Sequence, residues 1–270
     1  MINDFFKAKN LVEEFTAKYL NADIDNLASF DFCLLEQDKQ FGCPARNFDP
    51  DDTNIAKALY IIIWSDLIPN LSFDNIGTGC LYRGDTLNTF NTLFGKDCKG
   101  IRKYTNDVIF IESVENFKKY CFSIGNFLPL PNKAIEIGNT THTINTFRGT
   151  NSWRDYQDKF LLELKKCLVN EFDKDIFLYS LIDNNSFYFE HLENSFENYI
   201  KINFLTDYVD NNDIKDLFSP YLYHWMNKNI SELGKQQYIE FAQNYIECCT
   251  KIISNRSEAM LQKLKERLVL

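Results

Sequence analysis

Arginine is scarce in this chain. Only seven of the 29 basic side chains are arginine, set against 38 acidic ones. The net charge of −9 and the pI of about 5.0 deny the surface the positive field that general nucleic-acid or anionic-membrane binding needs. Neither partner is expected. Histidine is rarer still, with His142, His191 and His224 far apart, and the eight cysteines include no CxxC pair. No zinc spacing arises, no metal site is expected, and the cysteines are read as reduced, apolar packing groups. Walker, GxGxxG, HExxH and GxSxG patterns are all missing, so no cofactor is indicated.

Long apolar runs are missing too. The cleanest, "ALYIIIW" at Ala58–Trp64, is about a third of the roughly 20 residues that a membrane span takes. The start, "MINDFFKAKN", lacks a basic stretch followed by an apolar one, so no signal peptide is expected. A cytoplasmic protein is the reading. No repeat, low-complexity tract or Gly/Pro/Ser linker divides the chain. Residues 1–270 are read as one domain, with a helical subdomain over 151–270 as the alternative.

Aromatic residues, by contrast, are plentiful: 15% of the chain, including 24 phenylalanines. They bury large areas, enough for a sizeable core. Helical spacing of Phe6, Leu11, Phe15 and Tyr19 predicts a helix over 3–22. "FDFCLLEQ" reads as a short strand. Asp51 or Asp52 is expected to cap a fully buried helix over 53–67, ended by Pro69. "CLYR" reads as a strand, followed by a helix capped by Asp85 or Thr86 and closed at Gly95. "DVIFIES" is predicted as a strand and "VENFKKYC" as a short helix. "YCFSIGNFLPLP" reads as an edge or terminal strand because of Pro129 and Pro131, with a bulge or close backbone approach at Gly125-Asn126. "AIEIGNTTHTINTFRG" reads as one or two strands turned at Gly138-Asn139. Helices are expected after a Ser152 cap, over 193–209 and over 235–270, the last interrupted near Ser254-Asn255. The fold class is therefore α+β: a small, mostly antiparallel sheet over about 78–150, wrapped by N- and C-terminal helices.

Two of the scarce arginines stand in Arg-Gly pairs, Arg83-Gly84 in "LYRGDTLNTF" and Arg148-Gly149 in "INTFRGT". A guanidinium fork suits carboxylate or phosphate, and both pairs precede an expected helix start, whose free N–H groups attract anions. Arg83, Thr86, Asn126, Asn145, Arg148 and Gly149 are the candidate ligand-binding residues, with Asn126 and Asn145 reading polar edges. Asp85, Asp155 and His142 are candidate bases, though no sequence neighbour supplies a nucleophile. The competing reading pairs each arginine with a nearby acid as a loop fastener. A ligand role predicts that Arg83→Ala and Arg148→Ala abolish binding with little change in melting temperature.

The segments "NFDPD", "IIWSDLIPN", "LYRGDTLNTF", "SIGNFLPLPN", "INTFRG" and "WRDYQDKFLLEL" resemble, in order and spacing, the landmarks of a family of uncharacterised bacterial proteins. The resemblance spans about residues 48–165 and places Arg83, Asp85, Gly125, Asn145, Arg148 and Gly149 in a shared frame. Asn126 stands where some relatives have glycine. The resemblance implies no reaction. "LYRG" is also similar to the first motif of ADP-ribosyltransferases, but no Ser-Thr-Ser-like strand or Glu-x-Glu follows. Three functional readings result. The first is a domain with a pocket for an anionic small molecule, a nucleotide being one candidate. The second is a protein-interaction module in a bacterial conflict or toxin–antitoxin system, with a homodimer through the C-terminal helix. The third is a metal-dependent nuclease or transferase using Asp49, Asp51 and Asp52.

Overall fold

The computed structural model describes residues 2–42, 49–68, 71–76, 81–85, 108–150, 157–211, 213–217 and 235–269, and for 81–85 gives the backbone path. The expected stop at Pro69, the helix over 86–95 and the Ser152 cap lie outside these residues. Among the described residues no helix is long and apolar enough to cross a membrane.

The first helix, α1 (Ile2–Tyr19), forms where its apolar spacing predicts. It packs on α2 (Asn54–Trp64), in which every residue from Ala58 to Trp64 is buried. The cap of α2 is Thr53, not Asp51 or Asp52. Pro50–Asp52 form a tight 3-10 turn, and Thr53 Oγ1 accepts from Ala56 N at 3.2 Å. "FDFCLLEQ" is likewise a 3-10 turn (Phe32–Leu35) rather than a strand. Asp31 accepts from the Cys33 amide at 2.9 Å, and this side-chain cap bends the backbone before a ladder can form. The rings of Phe30 and Phe32 instead join Phe15, Tyr19 and Phe41 in an edge-to-face cluster.

Strand β1 (Leu81–Asp85) pairs antiparallel with β2 (Phe127–Pro131), setting Arg83 opposite Pro129 and Asp85 opposite Phe127. Between them runs α3 (Val108–Cys121), which takes in residues 108–113 of the predicted strand "DVIFIES". Its β-branched run suggests a strand. The helical spacing of the buried Val114, Phe117 and Cys121 decides otherwise, because that stripe packs on the long final helix. A 3-10 turn at Ile124–Asn126 then leads into β2.

The hairpin of β3 (Ile135–Ile137) and β4 (Thr140–His142) turns at Gly138, whose φ of 62° suits glycine, as predicted. "INTFRG" is helix, α4 (Ile144–Thr150), not strand. Thr143 and Thr146 cap it reciprocally: Thr143 Oγ1 accepts from Thr146 N and Thr146 Oγ1 from Thr143 N. There follow α5 (Gln157–Leu168), α6 (Ile176–Asn184), α7 (Ser186–Phe189) and α8 (Phe196–Ile202). The helix expected over 193–209 is confined to α8, because Ser195 caps its start and the chain turns after Asn203. A minimal pair, β5 (Val209–Asp210) with β6 (Asp213–Ile214), precedes the last helix.

That helix, α9 (Lys235–Val269), runs through Ser254-Asn255 without a break. Asn255 bonds Asp207 at 2.8 Å on the surface, while Arg256 and Ser257 face inward. It packs against α3, the Ile124–Asn126 turn and α2, and its leucines Leu261 and Leu264 are buried in the chain's own core. Near its end Arg267 bonds the Ile62 carbonyl, Ser65 and Asp66, fastening it to α2. Buried apolar residues from Ala8 to Leu264 belong to one core. The described cysteines are free. Burial pushes Cys33 and Cys167 up to about 12 and Cys248 up to about 11, which keeps these thiols protonated and unreactive at neutral pH.

Asp38 ties α1 to the loop before α2. Burial acts to raise its carboxyl, but hydrogen bonds from Lys18 Nζ, Tyr19 OH and the Phe41 and Gln40 amides outweigh that and hold it well below the usual range. A depressed carboxyl contributes stability above its unfolded pKa of about 3.9, and that contribution fades as pH falls towards the folded value. Asp38→Asn is expected to cost about 1–3 kcal/mol at neutral pH by denaturant unfolding. The gap from wild type should narrow once the pH drops below about 4.

Candidate functional site

A short helix and a long one each carry an arginine into the interior. On α4, Arg148 is 1% exposed. Its Nη2 donates to Gln157 Oε1 at 2.9 Å, and its guanidinium carbon lies 5.2 Å from the centre of the Phe160 ring. Gln157 and Phe160 stand three residues apart at the start of α5 and so share a face. Because a guanidinium has donors only, it fixes the Gln157 amide: the oxygen faces Arg148 and Nε2 is turned away. That Nε2 is buried with no hydrogen-bond partner among the described residues.

The second cation is Arg256 on α9, buried to 2%. Nε and Nη2 reach the Asn203 carbonyl at 3.1 and 2.9 Å, Nη2 also reaches Phe127 O at 2.9 Å, and Nη1 donates to Gly125 O. Burial lowers its pKa to about 10, which leaves it charged at neutral pH. The neighbouring Ser257 accepts from Gly125 N at 3.0 Å and meets Ser123 Oγ at 3.2 Å. Gly125 is thus a close approach, as its sequence position suggests, but within a 3-10 turn rather than a strand bulge. A methyl there would run into the Ile253 carbonyl and Ser257.

Tyr199 on α8 lies in the field of both guanidinium groups. Burial pushes its hydroxyl up to about 12, while the charges of Arg148 and Arg256 pull the other way. The hydroxyl is therefore a neutral donor at physiological pH, and it is buried with no partner among the described residues. Asn203 donates through Nδ2 to the Tyr199 carbonyl at 3.0 Å and to Tyr188 OH at 3.3 Å. Burial raises Tyr188 and Tyr208 as well. Two guanidinium groups and several neutral hydroxyls thus lie in the interior around α4, α5, α8 and α9, together with the buried side chain of Asp158 on α5, which accepts from the Leu217 amide at 3.0 Å.

Of the residues singled out by sequence, Arg148 reaches this region. Arg83 lies on β1, paired with β2, the strand on which α4 packs; the description there is of backbone. Thr86 and Asp155 lie outside the described residues. Asn145 and Gly149 are half-buried on α4. Asn126 is buried and donates to the Cys121 carbonyl at 2.9 Å, holding the corner between α3 and β2. Asp85 ends β1, opposite Phe127. His142 ends β4, half-buried, with its ring edge-on to Phe177. In the Asp49–Asp52 stretch, Asp49 is exposed, Asp51 is buried and Asp52 pairs with Lys57 at 3.1 Å. No group of three or more His, Cys, Asp or Glu able to hold a metal ion exists among the described residues.

Burial also revises one expectation: Arg148→Ala cannot be neutral for stability, since it empties a packed site beside Phe160 and strips Gln157 of its bond. Gln157, Tyr199, Asn203 and Arg256 were not singled out by sequence. For Arg256 one signal existed, an arginine within a helical stretch of a chain that uses few.

The chain belongs to the family DUF6994, described as a family of unknown function, whose model matches residues 82–260. All the residues of the interior cluster fall within that match. No curated protein and no solved structure matches the chain.

Arg256→Met is expected to leave three main-chain carbonyls without their donor and to cost about 3–5 kcal/mol. Arg256→Lys should recover only part of that loss, since a single ammonium cannot span all three. Denaturant unfolding of the full chain checks both.

Proposed function

We propose that this chain is a ligand-handling domain, with a site around Arg148 that takes an anionic small molecule, nucleotides being the first class to test. The observation that carries this reading is the enclosure of the Arg148 guanidinium, 1% exposed, against the Gln157 amide, whose Nε2 is buried without a hydrogen-bond partner among the described residues. Such groups lose their hydration on burial, and an anion compensates them more fully than neutral dipoles do. Arg83 joins the site in this reading, because its strand pairs with the strand that α4 packs against. The continuous core supports treating residues 1–270 as one domain. The free cysteines and acidic balance support a cytoplasmic setting.

A second reading, a protein-interaction module, is favoured by one feature: Val169, Phe172 and Ile176, around the connection from α5 to α6, are 56%, 105% and 77% exposed. Exposed apolar groups gathered in this way suit a partner surface.

The test is a thermal-shift screen of the full chain against nucleotides, sugar phosphates and chloride controls. One anion class should raise the melting temperature, a ligand at 100 times its Kd adding about 2.7 kcal/mol. Arg148→Lys, which keeps the charge but loses the planar fork, should weaken that response about tenfold or more. Arg83→Ala should weaken it as well. Absence of any anion response in the wild type refutes the reading.

A further inference from the structure

The connection from α5 to α6 sets Val169, Phe172 and Ile176 in water, Phe172 completely. Its backbone is closed on itself: the Glu171 amide donates to the Lys166 carbonyl at 2.9 Å, and Asn170 turns the chain at a φ of 58°. On α6, Ile176, Tyr179 and Asp183 are spaced three and four residues apart and share one face. That face leads from the apolar group to a cleft of about 260 Å³ between the end of α5, α6 and α7. Cys167 and Ile182 supply buried apolar surface there. Asp183 and Glu190 also line it, with no basic side chain among its described lining residues. From Glu171 to Glu193 the sequence holds six acids and a single lysine, Lys174. That lysine is engaged: it bonds the Glu171 carbonyl at 3.3 Å, and its ammonium lies 4.9 Å from the centre of the Tyr179 ring. Like charges that share a cleft are relieved by an added cation. The cleft is smaller than the roughly 300–1,000 Å³ of a site for a whole small molecule, and suits one long side chain. Acidic surroundings repel an anionic bilayer, and they repel a second copy of a chain of net charge −9. A partner of opposite charge meets neither objection.

We propose that the α5–α6 corner docks a basic, amphipathic helical segment of a partner protein, its apolar side chain on Phe172 and Ile176 and its lysine or arginine in the cleft beside Asp183 and Glu190. This rests on the reading of the chain as a protein-interaction module, and it names the chemistry of the partner. From Ile176 to Asp183 the α6 helix rises about 10 Å, so the two partner side chains stand two turns apart on one helix face. The aliphatic stem of the partner's basic side chain packs on the apolar part of the cleft, while its charge meets the carboxylates.

The experiment selects a phage-displayed library of random peptides on the full chain and measures the enriched peptides, made synthetically, by fluorescence anisotropy. They should carry a lysine or arginine and a large apolar residue two helical turns apart. The double variant Asp183→Asn, Glu190→Gln should weaken their binding about tenfold or more, and so should Phe172→Ser. Both proteins should melt as wild type does, because the three side chains are exposed. If the enriched peptides lack a cation, or bind the double variant as tightly as wild type while Phe172→Ser weakens them, the interaction reading stands and the basic partner falls. If Phe172→Ser leaves binding intact while the double variant loses it, the cleft acts alone and the docking surface falls. If no peptide is enriched, or neither protein differs from wild type, both readings fall. A wild-type dimer in sedimentation that Phe172→Ser dissociates makes the occupant a second copy. Binding to phosphatidylcholine–phosphatidylserine vesicles that Phe172→Ser abolishes makes it a bilayer. Either of these results overturns the proposal.

Discussion

The architecture turns on one guanidinium group. Arg256 reaches from α9 to carbonyl oxygens at Gly125, Phe127 and Asn203, joining the entry to β2 and the segment after α8 to the longest helix. Those carbonyls come from a 3-10 turn, a strand paired with β1 and the end of a helix, and buried main-chain oxygens left without an amide partner there need a donor. One side chain supplies several at once. Ser257 completes the joint by accepting from the Gly125 amide. The close seating of α9 then requires that residue 125 have no side chain.

The chain is acidic on balance, and its buried charged side chains are of both signs: Arg148 and Arg256 at 1% and 2% exposure, Asp51 and Asp158 at 5% and 3%. Dispersed surface carboxylates are screened by water and salt within about a Debye length, so each buried charge has to be compensated by groups close to it. Arg256 finds that compensation in main-chain carbonyls, and Asp158 accepts from the Leu217 and Lys159 amides.

Legibility from sequence followed the range of the interactions. Where local terms dominate, the reading held: the apolar spacing of α1, the buried run Ala58–Trp64, and the Gly138 turn between β3 and β4. Where two local codes competed, the side chains that bond their own backbone decided. Asp31 and the Thr143–Thr146 pair made turn and helix starts out of stretches that looked extended. In α3 the β-branched residues at its start suggested a strand, but packing against α9 settled the outcome. The candidate site was half legible. Arg148 was readable because an Arg-Gly pair is uncommon in a chain with few arginines. Arg256 was not, since its partners lie 131, 129 and 53 positions away and are main-chain atoms that carry no residue identity.

The two prolines of β2 decide which side of that strand can pair. Proline has no N–H, so the bonds to β1 fall to Leu128 and Leu130, and Pro129 and Pro131 turn their nitrogens away from β1. On that side the Phe127 oxygen is taken by Arg256, and every residue of β2 is buried. A third strand laid against β2 would find no amide at two positions and one acceptor occupied, so the width of the sheet on this side is written into the residues of β2 themselves.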